Sequence, residues 1–111
     1  MITRFKIFEN EEVVLYWKVP VKNPWYTAAL MKIMNSEEEI ERWINSDLTM
    51  DVETDYIFLY YRIYSNGNTH WTWSIETGIT KENYEYQGEI TLTQEDIDKA
   101  EIYLAAKQYN L

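Results

Sequence analysis

The sequence predicts an α+β domain: a mainly antiparallel sheet of five to six strands, with two helices packed on one face. Three observations carry this. Val13-Val14-Leu15-Tyr16-Trp17 and residues 55–65 are runs of β-branched and aromatic residues, the types that fit a pleated, half-buried surface. Asn66-Gly67 interrupts the second run with residues that tolerate positive φ, as a tight hairpin requires. Ser36 and Thr93 each precede a helical pattern and stand three residues before a carboxylate, the arrangement of a capping box.

The elements follow in order. Residues 2–9 and 13–19 read as strands joined at Glu9-Asn10-Glu11-Glu12, and Pro20, which has no N–H for a ladder, ends the second. Lys22-Asn23-Pro24 is a turn. Residues 27–33 tolerate a helix in composition, but Asn35-Ser36 opens a helix immediately afterwards, so 27–33 is assigned as a strand. Ser36 caps a helix over 37–45, with Ile40, Trp43 and Ile44 as its apolar stripe.

A two-residue turn at Asn66-Gly67 pairs strand 55–65 with strand 69–77 and places Tyr60 opposite Trp73 and Arg62 opposite Trp71. Tyr60, Arg62, Trp71 and Trp73 would then share one sheet face as an aromatic platform. Residues 84–91 form another strand, with Gly88 as a bulge. Thr93 starts a last helix over 94–109, with Ala100, Leu104, Ala105 and Tyr109 on its apolar side.

One hundred and eleven residues make a single domain, 1–111, large enough to bury a core without disulfides. There is no cysteine, which excludes disulfides and thiolate chemistry. No stretch approaches a membrane helix, and the N-terminus alternates in polarity unlike a signal peptide. The expected setting is the cytoplasm.

Charge is the sharpest functional feature. Sixteen of nineteen carboxylates lie after residue 34, with only five of ten Lys and Arg. The formal net charge of −9 repels nucleic acid and anionic membranes and attracts basic protein surfaces. No catalytic set accompanies it, so no enzyme and no cofactor are expected. His70 is the sole histidine, and no Ser stands in a Gly-flanked elbow. Asp51, Glu53 and Asp55 alternate beside Asp47, but without the glycine and trailing glutamate of a calcium loop. They read as a solvated connection, not a metal site.

The expected partner surface comprises Glu37, Glu38, Glu41, Trp43, Asp47, Asp51, Glu53 and Asp55: carboxylates for a basic groove, with an aromatic anchor among them. In size, charge and lack of catalytic residues the chain resembles small acidic inhibitors. These are phage-encoded inhibitors of host defence or DNA-handling enzymes, nucleic-acid mimics, and immunity proteins against toxic nucleases. The resemblance implies a non-enzymatic protein that occupies the binding site of a basic, nucleic-acid-handling partner. The other reading is a small-ligand or carbohydrate module using the Trp/Tyr sheet face.

Overall fold

A computed structural model describes residues 12–46, 52–75 and 82–109. Four strands and three helices occur among them: β1 (Glu12–Pro20), α1 (Trp25–Ile33), α2 (Glu37–Asn45), β2 (Tyr56–Tyr64), β3 (Thr69–Ser74), β4 (Tyr84–Glu89) and α3 (Gln94–Gln108). The class is α+β, as the sequence predicts. The sheet is mixed, in order β3-β2-β1-β4. β2 and β3 run antiparallel, whereas β1 and β4 are parallel. The expected mainly antiparallel arrangement with two helices is corrected to this one. The expected strand 2–9 lies outside the described residues.

The described residues form two compact units: a sheet unit, with β1 up to Lys18 and Ile57–Glu89, and a helical unit, with Val19–Tyr56 and the chain from Ile90. In the sheet unit, Val14, Phe58 and Tyr60 are buried together, and Tyr16 and Tyr84 pack against them. Ile57 and Leu59, on the opposite face of β2, are also fully buried. β2 is thus apolar on both sides, as a central strand should be.

The hairpin pairs one residue away from the expected register. Tyr61 faces Trp71, Tyr60 faces Thr72 and Arg62 faces His70. The turn explains the slip. The Tyr64 N–H donates to the Asn68 carbonyl at 2.8 Å, and the Gly67 N–H donates to the Tyr64 carbonyl at 2.9 Å. Ser65-Asn66-Gly67 is therefore a three-residue loop, with Gly67 at φ +91°. The Asn66 side-chain oxygen accepts from the Asn68 N–H. A one-residue slip moves every side chain of the slipped strand to the other face, and so carries Trp71 and Trp73 away from Tyr60 and Arg62. The expected bulge at Gly88 is present. Tyr16 pairs with Tyr86 but Trp17 pairs with Gly88, leaving Gln87 as the extra residue, and Gly88 has φ +99°.

In the helical unit, α1 replaces the strand assigned to 27–33. No side chain of Pro24, its N-cap residue, caps it. Asn23 does so from one residue earlier: its Oδ1 accepts from the Thr27 N–H at 3.2 Å and from the Thr27 hydroxyl at 2.6 Å. Met34 turns extended at the other end, so Met34-Asn35-Ser36 suffices to separate α1 from α2. Tyr26, Thr27, Ala28, Ala29 and Leu30 are buried, and α1 packs against both α2 and α3. Burying a side chain such as Leu30 contributes roughly 1.5–3 kcal/mol. The Tyr26 hydroxyl donates to the Trp43 carbonyl at 3.3 Å, joining α1 to α2.

Candidate functional site: the acidic helical surface

Of the eight expected contact residues, six lie among the described residues. Glu37 and Glu38 are exposed in the first turn of α2, where the helix dipole favours negative charge. Ser36 Oγ caps that turn, accepting from the Glu39 N–H at 3.4 Å. Glu39 pairs with Arg42 at 2.7 Å. Glu41 is exposed but already engaged, accepting from Lys107 Nζ of α3 at 3.3 Å. Glu53 and Asp55 are exposed ahead of β2, and the Asp55 carbonyl accepts from the Val21 N–H. Trp43 is half-buried. Asp47 and Asp51 lie outside the described residues.

Ion pairing divides the carboxylates of the helical unit into two groups. Among its described residues are ten carboxylates and five cations. Lys32, Arg42, Lys99 and Lys107 pair with Asp96, Glu39, Glu95 and Glu41, leaving Lys22 as the cation without an ion pair. Glu37, Glu38, Glu53, Asp55, Asp98 and Glu101 make no ion pair among the described residues. Asp98 does accept a hydrogen bond from the Gln94 side chain. Asp96 is committed to structure. Its carboxylate accepts from the Thr93 N–H at 2.9 Å and from Lys32 Nζ at 3.2 Å, which holds its pKa below the usual carboxylate value.

The expected aromatic platform divides between two faces. Tyr60 and Arg62 lie on one, Trp71 and Trp73 on the other. Tyr60 joins a tyrosine cluster with Tyr16 at 5.2 Å and Tyr84 at 6.0 Å between ring centroids. Burial pushes its hydroxyl pKa up; Tyr16 and Tyr84 add to this and Arg62 opposes it. Arg62 Nη1 donates to Glu12 Oε1 and to the Tyr84 hydroxyl, both at 2.9 Å. Arg62 is therefore a structural clasp rather than a free cation over an aromatic surface. On the opposite face Trp71 packs on Tyr61 at 4.4 Å and Trp17 at 5.9 Å, while Trp73 remains partly exposed.

A pocket of about 340 Å³ opens in the sheet unit between Glu12, Val13, Glu82, Asn83 and Glu85. Asn83 fixes its wall by donating to the Glu12 carbonyl and accepting from the Val14 N–H. His70 is exposed opposite Arg62. No group of three or more His, Cys, Asp or Glu among the described residues is arranged to hold a metal. No helix among them is long and apolar enough to cross a membrane.

Sequence reasoning missed the exposed side of α3. Ile102 and Tyr109 are 70 % and 71 % exposed, the most exposed large apolar residues among those described. Ala105, expected inward with Tyr109, is exposed as well. Ala100 is fully buried and Leu104 half-buried, which sets the inward direction. At about 100° per residue, Ile102 then lies about 200° from Ala100, on the outward side. That geometry was available in the sequence.

Compared with known proteins, the chain matches no family model, no curated protein and no solved structure.

Proposed function

We propose that this chain is a non-enzymatic acidic binding protein, which docks its helical unit on the basic nucleic-acid site of a protein partner and so excludes the nucleic acid. The observation that carries this reading is the set of carboxylates that make no ion pair among the described residues: Glu37, Glu38, Glu53, Asp55, Asp98 and Glu101. Solubility alone is served by mixed charges of both signs. Here four of the five described cations are held in internal pairs, which leaves six carboxylates against Lys22 and a negative surplus. Such a surface steers a basic partner in and raises the rate of encounter. Inhibition of a defence or DNA-handling enzyme by mimicry of nucleic acid is the corresponding biological role, with the cytoplasm as its setting.

The test is capture of partners from a host lysate at low and high salt, followed by competition with duplex DNA. Recovery of a basic nucleic-acid-binding protein that is released both by salt and by DNA supports the reading. The charge reversals Glu37→Lys with Glu38→Lys, and Asp98→Lys with Glu101→Lys, should slow that association. Binding indifferent to salt and to both reversals removes it, and directs attention to the Trp71–Trp73 face as a ligand surface.

A further inference from the structure

We infer that the outward face of α3 is the docking face for a basic amphipathic helix of the partner. This rests on the acidic-binder reading above and assigns its apolar anchor. Asp98, Ile102, Ala105 and Tyr109 follow one another at helical spacing and form a stripe along the side of α3 opposite Ala100. Ile102 and Tyr109 are separated by seven residues, about 10.5 Å along the axis. Between them Ala105 presents no bulk, so a facing helix can approach closely. The result is two apolar knobs with a shallow seat between them.

The rim identifies the occupant. Glu95 and Glu101 are exposed on either side of the stripe, and Asp98 lies at its N-terminal end. Among the described residues Glu101 makes no ion pair, and Asp98 accepts from the neutral Gln94 amide and makes no ion pair. Glu95 holds Lys99 in a pair exposed on both sides, which is readily exchanged for another cation. A helix with apolar residues at i, i+3 and i+7, flanked by Lys and Arg, would complement both the knobs and the rim. A second copy of this chain complements the knobs but not the rim, because acidic edges would meet acidic edges. Lys107, the cation near the far end of α3, is already paired with Glu41.

This arrangement separates two roles. The carboxylates of α2 govern long-range encounter, whereas the α3 stripe governs residence once the apolar contact is desolvated.

The probe is a synthetic Leu/Lys peptide with Leu at i, i+3 and i+7, and its Leu/Glu counterpart is the control. Binding of the Leu/Lys peptide should shift the amide signals of residues 98–109. Ile102→Ser should weaken it about tenfold, the loss expected of a central interface anchor. Because Ile102 is exposed, this variant should keep the far-UV spectrum of the parent. Glu37→Lys with Glu38→Lys should slow association of the peptide at low salt and leave its dissociation rate unchanged, the reverse of the pattern expected for Ile102→Ser. Signal changes confined to α2, or unchanged affinity in Ile102→Ser, overturn the inference. So does a dimer of the free chain that Ile102→Ser dissolves. If Ile102→Ser binds the captured partner as tightly as the parent, and still in a salt-dependent manner, this face is wrong while the acidic-binder reading stands. If neither peptide nor partner binds in a salt-dependent manner, both fall.

Discussion

Tyr26 shows how a single polar atom ties burial to pH. Its side chain is 2 % exposed, and burial pushes its pKa from 10.0 up to about 12. The hydroxyl has one partner to satisfy it, the Trp43 carbonyl, and the phenolate would lose that bond as well as its water. The folded state therefore holds the proton more tightly than the unfolded chain. This contribution is complete below pH 10 and is lost as pH rises toward about 12. A separation of that size is worth roughly 2–3 kcal/mol. The parent should thus lose stability between about pH 9 and about pH 11.5, and Tyr26→Phe should lose less over the same interval. Denaturation midpoints at the two pH values measure this. The comparison cancels the alkaline repulsion and the other tyrosines shared by both proteins. Equal alkaline losses would show that the Tyr26 hydroxyl reaches water more freely than its burial implies. Arg62 is the counterpart in the sheet unit, where one guanidinium satisfies Glu12 and the Tyr84 hydroxyl at once. Its Nε also donates to the Thr72 hydroxyl at 3.4 Å, a third contact from a second nitrogen that a lysine does not have.

At the scale of elements, the two helix caps read alike in sequence but differ in the structure. Thr93 and Asp96 satisfy each other's backbone reciprocally, at 3.2 and 2.9 Å. Ser36 contributes one bond of 3.4 Å, and the Glu39 carboxylate turns to Arg42. Thr93→Ala should therefore cost about 1 kcal/mol and Ser36→Ala clearly less, about 0.5 kcal/mol. Urea midpoints check the order; equal losses would mean that the reciprocal bond adds nothing. Capping was legible because it is local, decided within four residues. The same holds for the hairpin's existence, but not its register. Asn-Gly serves a two-residue turn and also the last two positions of a three-residue turn, and the hydrophobic pattern of β2 gives no arbitration because both its faces are buried. α1 was hidden by its cap: Asn23 acts across Pro24 from outside the usual position. The parallel pairing of β1 with β4 joins segments about seventy residues apart, and nothing local sets its direction. The candidate surface divides in the same way. The positions of carboxylates were legible, whereas which of them spend their charge on Lys32, Arg42, Lys99 and Lys107 depends on the folded chain.

For the whole molecule, charge acts on stability and on association with opposite signs. The net charge is −9, and the six carboxylates of the helical unit that make no ion pair among the described residues repel one another through water. The four ion pairs among its described residues are contacts of 2.7–3.3 Å. Raising salt from about 0.01 M to about 0.1 M shortens the Debye length from about 30 Å to about 10 Å. A contact near 3 Å lies inside both lengths and loses little, whereas repulsions spread over the surface fall between them and lose most. The free protein should therefore become more stable with added salt, while its hold on a basic partner weakens. Glu101→Gln removes an unpaired charge and should raise the low-salt midpoint and flatten its salt dependence. Glu41→Gln removes the partner of Lys107 and should lower that midpoint instead. Thermal or urea midpoints across a salt series measure all three proteins. A parent midpoint that falls with salt would mean that the internal pairs outweigh the repulsion. The carboxylates would then be elements of the fold's own stability, and the surplus charge on which the docking argument depends would not exist.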